Sequence, residues 1–193
     1  MNALKKLQPL NMTVPEFLAW ADQQPGHWQL RDGEPELMAP AADRHGRIQA
    51  ELGALISNVL RPMGNRCCVV IAPGVIPRLR SDRNMLVPDI AVTCSPSSDA
   101  RAVPDPIVLI EILSPSNEMQ TRANVWAYST IPTVTEIVLL TSLQVSAEVM
   151  RRLPDGSWPE MPEFIGRDGR LVIERIGFEC PLLDVYATTD LVE

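Results

Sequence analysis

The sequence predicts an α/β protein, a mixed β-sheet with helices packed against it. Three observations predict it. Ile107 to Leu113 is a continuous apolar run interrupted only by Glu111, the pattern of a strand buried on both faces. Before it, Ile48, Leu52, Leu55, Ile56, Val59 and Leu60 recur at helical spacing. Pro and Gly punctuation then sets the order as helix, several strands, helix, strand. The 193 residues are enough for one domain with a real core and too few for two ordinary ones, so residues 1–193 are expected to form a single domain with its core over about 13–188.

The elements follow in order. Thr13 to Gln24 reads as a helix, with a Thr cap, Pro15 in the first turn and Glu16 near the N-terminus. Trp28 to Leu30, Arg31-Asp32-Gly33 and Glu34 to Met38 read as strand, turn and strand. A long amphipathic helix begins after Asp43 and ends at Pro62. Cys67 to Ala72 and Val75 to Leu79 are expected strands flanking Pro73-Gly74, and Leu86 to Val92 is another. After the strand at Ile107 to Leu113, Asn117 to Tyr128 is expected to be helical, Glu136 to Leu140 a buried strand, and Val145 to Met150 a strand paired with a later one. Turns at Pro154-Asp155-Gly156 and Arg167-Asp168-Gly169 bound short strands, and a brief helix is expected after Pro181.

Charge and cysteine content narrow the function classes. The formal net charge is −7, from 24 acidic and 17 basic side chains. That sign disfavours a constitutive nucleic-acid coat, yet it allows an enzyme that reaches phosphodiesters through a bound cation. The opening segment has two lysines but no long apolar run behind them, and no stretch approaches the ~20 apolar residues of a membrane span. The expectation is a cytoplasmic protein. Cys67, Cys68, Cys94 and Cys180 form no CxxC, and reduced thiols are expected. Motifs for phosphate loops, dinucleotides, zinc proteases and nucleophile elbows are absent from the sequence. Trp20, Trp28, Trp126 and Trp158 are expected in the core or at interfaces.

Two acids carry the chemical signal. In a strand, Leu109, Glu111 and Leu113 share one face, which sets an ionisable group among aliphatic neighbours. Burying an unpaired carboxylate costs several kcal/mol, so Glu111 needs a cation, strong hydrogen bonds or a raised pKa. Asp89 is likewise an acid within the apolar, β-rich segment Leu86 to Val92. On adjacent strands, two such carboxylates can share a hard divalent cation such as Mg²⁺, which takes oxygen ligands and keeps several waters. Taken singly, each acid also has a structural reading: Asp89 caps a turn, and Glu111 pairs with an internal arginine.

Pro88-Asp89, followed by Glu111-Ile112-Leu113-Ser114-Pro115-Ser116, resembles the Uma-type endonucleases of the PD-(D/E)XK superfamily. The likeness extends to Trp28 through Glu34, Met38-Ala39-Pro40, His45-Gly46, Tyr128 and Leu182 through Tyr186, spanning roughly residues 13 to 188. The resemblance implies a restriction-endonuclease-like mixed β-sheet flanked by α-helices, and a metal-dependent DNA endonuclease that hydrolyses phosphodiester bonds with Mg²⁺ or Mn²⁺. It implies Asp89 and Glu111 as metal ligands, Ile112 as a main-chain carbonyl ligand and Glu34 as a further ligand or water-positioning base. His45 matches the family's helix-start histidine. A homodimer acting on DNA is expected, because duplex cleavage needs two active sites.

The chain departs from the pattern where Leu113 stands in place of the lysine two residues past the acid. The wider family places a lysine on the next helix instead, at the position of Asn124 here. Asn carries no charge, while nearby Arg122 holds its proton too tightly to act as a base. The alternative function is therefore a catalytically impaired nuclease-fold protein that binds nucleic acid or a partner protein. Otherwise Asn124 or Arg122 contacts phosphate.

Overall fold

The computed structural model describes residues 11–62, 67–115 and 117–192. Met1 to Leu10, most of the opening segment with its two lysines, and Ser116 of the Ser114-Pro115-Ser116 motif lie outside the described residues.

A six-stranded mixed sheet organises the fold. Its order is β3 (Cys68–Ile71), β4 (Ile90–Thr93), β5 (Pro106–Leu113), β6 (Glu136–Thr141), β7 (Ala147–Arg151), β8 (Glu163–Ile165). Strands β5 and β6 are parallel, joined through helix α3 (Glu118–Tyr128), and the remaining neighbours are antiparallel. A parallel pair needs such a crossover. Every residue of β5 is buried, which is why its sequence runs apolar without alternation. Alternate residues still divide between two cores. Val108, Ile110 and Ile112 pack with Ile48, Leu52 and Ile56 of α2 (Asp43–Leu60), whereas Leu109 and Leu113 pack with Val125 and Tyr128 of α3. Glu111 belongs to the second face.

Two ribbons flank the sheet. Strands β1 (His27–Arg31) and β2 (Glu34–Met38) form a hairpin around Asp32 and Gly33, both at positive φ (48° and 85°), so glycine suits the second turn position. Strands β9 (Arg170–Ile173) and β10 (Phe178–Pro181) lead to the short α4 (Leu182–Val185). Helix α1 (Val14–Ala21) starts in a capping box, with Glu16 accepting from the Thr13 N–H at 2.8 Å and Pro15 in the first turn. No helix among the described residues is long and apolar enough to cross a membrane.

Three sequence expectations are corrected. Val75 to Leu79 forms only an isolated bridge, Val75 to Leu86, because the chain turns at Ala72 (φ 47°) and then coils. The strand expected from Leu86 begins at Ile90, since Pro88 has no N–H to donate to a ladder. The cysteines are not all reduced. Cys67 and Cys94 are joined by a disulfide across the edge of the sheet, one residue beyond the Cys68–Thr93 pair, while Cys68 and Cys180 are free. The pairing partner is set by strand register, which cysteine spacing does not reveal.

Candidate active site

The late start of β4 creates the site. Ile90 pairs with Ile110, but β5 continues to Leu113, so the N–H of Ile112 projects beyond the ladder. The Asp89 carboxylate takes the place of the absent strand: its Oδ2 accepts from that N–H at 2.7 Å. Its Oδ1 lies 2.8 Å from His45 Nε2. The Asp89 main-chain oxygen accepts from Gln49 Nε2 at 2.7 Å and from the Ala72 N–H at 2.9 Å. His45 and Gln49 are four apart on α2 and therefore on one helix face. Asp89 is thus held from two elements, with its carboxylate at the point where the strands diverge.

Glu111 is gripped in the same manner from the other side of the sheet. Asn124 and Tyr128, again four apart, project from α3. The Tyr128 hydroxyl donates to Glu111 Oε1 at 2.6 Å, and Asn124 Nδ2 approaches the same oxygen at 3.4 Å. Glu111 is only 5% exposed, and no arginine or lysine pairs with it among the described residues. Burial, followed by the negative charge of Asp89, pushes its pKa up to about 8, while the bonds from Tyr128 and Asn124 pull the other way. The Tyr128 phenol is pushed well above its ordinary value by burial and then by the Glu111 charge, so it stays protonated as a donor.

Both acids line one cleft of about 1800 Å³, bordered by the ends of α1 and α2, the β1–β2 ribbon and the start of α3. His45 and Asn124 line it too, and Ile112 contributes its main chain to the hold on Asp89. The structure thus brings together Asp89, Glu111, His45, Asn124 and the Ile112 backbone. Two other candidates stand elsewhere. Glu34, at the turn end of β2, accepts a long contact from the Asn11 N–H at 3.4 Å and does not face the cleft. Arg122 is bound to Glu118 (3.0 Å) and to Glu148 (2.8 Å) on the far side of α3, so it is not available to Glu111.

Sequence reasoning missed Arg31. Its Nη1 donates to Asn124 Oδ1 at 2.7 Å, and its Nε is 3.0 Å from Glu36, which Gln29 also holds at 3.0 Å. The available signal was an arginine inside a strand beside a turn; the side chain is only 18% exposed, so it needs partners.

Among the described residues no group of three or more His, Cys, Asp and Glu side chains converges as a metal cage. Two carboxyl groups lining one cleft remain, oxygen donors of the kind a hard divalent ion takes beside water and main-chain ligands.

A six-stranded mixed sheet flanked by helices, as here, is an architecture found in a nuclease fold. The fold is that of a solved structure from Anabaena variabilis described as "a putative nuclease belonging to DUF820": TM-score 0.71 and 18% identity, over 91% of this chain and 98% of that one. A family model described as "Uma2: Putative restriction endonuclease" matches residues 14–179, and the chain belongs to that family. Comparison with curated proteins gives no match.

Proposed function

We propose that the protein is a divalent-metal-dependent DNA endonuclease of the PD-(D/E)XK type, with Asp89 and Glu111 sharing the ion. One observation carries this reading: a buried carboxyl group without a cationic partner among the described residues faces the same cleft as a second carboxylate, and burial, then the charge of that second acid, raises its pKa. Burial holds Glu111 protonated at neutral pH, and a divalent cation between the two would favour its ionised form.

The residues present fit Mg²⁺ or Mn²⁺. Two carboxylates supply charge, and a strand residue directs its N–H and C=O to the same edge, so the Ile112 carbonyl is a third oxygen on the side of Asp89. When bound, such an ion polarises a phosphoryl oxygen and lowers the pKa of an attacking water. Within the chain itself, His45 orients Asp89, Tyr128 orients Glu111, and Asn124 offers an amide donor to the cleft. The proposed substrate is DNA, in keeping with the family's nuclease description, and the proposed acting unit is a homodimer, which would supply one active site per strand.

One observation favours the alternative, binding without cleavage: the α3 residue facing Glu111 is the neutral Asn124, which cannot accept and return a proton at neutral pH. Incubation with supercoiled, linear and single-stranded DNA in Mn²⁺ separates the readings. Cleavage that disappears in both Asp89→Ala and Glu111→Ala supports the nuclease. Binding without cleavage supports the alternative, and cleavage retained in both variants points to a contaminant.

A further inference from the structure

Arg31 has no place in the set above, yet its guanidinium bonds directly to Asn124, a member of it. A guanidinium has five N–H donors and no acceptor, so an amide in contact with it must present its oxygen. Asn124 does so, with Oδ1 2.7 Å from Arg31 Nη1. Its Nδ2 is thereby turned the opposite way, towards the cleft and Glu111. The contact with Glu111 is long, 3.4 Å, and uses at most one of the two amide N–H groups. Gln120, one turn earlier on α3 and also lining the cleft, sets its amide against the same guanidinium; because that group only donates, the amide oxygen is the atom that belongs beside it. Arg31 stands behind both amides, fixed by Glu36 across the β1–β2 ribbon, and Glu36 is itself held by Gln29.

We infer that Arg31 is a positioning residue: by donating to the amide oxygens of Asn124 and Gln120 it turns their NH₂ groups into the cleft, as a donor pair for a phosphodiester oxygen beside Asp89 and Glu111. A cation behind an amide also polarises it and strengthens the N–H groups on the far side. The positive charge of the site is in this way delivered through neutral amides, and no lysine on α3 is required. The inference rests on the nuclease reading.

A mutant cycle tests it, with a fluorescein-labelled DNA duplex as probe. Anisotropy in Ca²⁺ reports binding, and cleavage in Mn²⁺ gives kcat and KM. Arg31→Met is expected to weaken binding and raise KM about tenfold, the scale of one or two neutral hydrogen bonds, with kcat changed less. Mn²⁺ affinity by calorimetry is expected to hold within about twofold, which separates a lost phosphate contact from a lost metal site. Asn124→Ala with Gln120→Ala should weaken binding equally, and adding Arg31→Met to that pair should cost nothing further. Arg31→Lys, which keeps the charge and some donors, should recover part of the loss. If the triple variant is weaker by the product of the two effects, Arg31 acts directly or through β1–β2 packing, and the inference fails while the nuclease reading stands. Should the wild-type protein neither bind nor cleave the duplex, both fail.

Discussion

Replacing Glu111 with Gln is predicted to stabilise the protein while destroying the proposed metal site. In the unfolded chain Glu111 has an ordinary pKa of 4.5, and folding raises it to about 8 through burial and the charge of Asp89. The folded state therefore holds a proton that the unfolded chain has released, so wild-type stability falls as pH rises from 4.5 through 8 and levels off above. At pH 7 the unfolded state is favoured by roughly 2.5 decades of proton activity, a cost to folding of about 3 kcal/mol. Gln keeps an oxygen for the Tyr128 hydroxyl and cannot ionise, although its new N–H groups lack a partner and return ~1–2 kcal/mol of the gain. The net expectation at pH 7 is a variant more stable by ~1–2 kcal/mol, or roughly 2–8 °C in Tm for a chain of this size. Urea denaturation from pH 5 to 9 without metal is the assay: the wild type should lose stability with rising pH, and the variant should not. A flat wild-type profile, or a variant less stable at pH 7, would refute the reasoning, because Glu111 would then be ionised and paired in the fold.

Other predictions concern its surroundings. Tyr128→Phe removes the short bond that lowers the Glu111 pKa, so Mn²⁺ binding measured by calorimetry should weaken at pH 7 and recover as the pH is raised, with ~1–3 kcal/mol lost in chemical denaturation. Asp89→Ala leaves the Ile112 N–H and His45 without their partner; a loss of ~2–4 kcal/mol by urea denaturation is expected, together with abolished Mn²⁺ binding. In the denatured, unreduced protein only Cys68 and Cys180 should react with a thiol reagent. Reducing the Cys67–Cys94 bond, which links positions 27 apart, should cost ~3 kcal/mol of stability, read from urea midpoints with and without dithiothreitol.

Much of the framework was legible in the sequence because it depends on local periodicity. The β5 run and the α2 stripe each announce how they are buried, and Glu111 stands out as the one charge in a strand buried along its length. Asp89 was legible as an acid in a β-rich segment, but its role at the mouth of two diverging strands follows from Pro88, whose missing N–H delays the ladder. The features that stayed hidden depend on long-range register. Arg31 reaches Asn124 across 93 positions, and only the fold brings the β1–β2 ribbon beside α3. Glu34 and Arg31 flank the same turn, and only the fold shows that the arginine reaches α3 while the glutamate stays at the turn end of β2. Cys67 meets Cys94 because β3 and β4 pair with Cys68 opposite Thr93, a register with no signature in cysteine spacing.

The shared-ion site is tested most directly by anomalous scattering from crystals grown with MnCl₂ at pH 8, where Glu111 is half ionised before metal arrives. The expected result is a manganese peak at ~2.0–2.3 Å from an oxygen of both Asp89 and Glu111, absent from crystals of Glu111→Gln. A map with no peak between the two carboxylates, or one unchanged in the variant, would contradict the account.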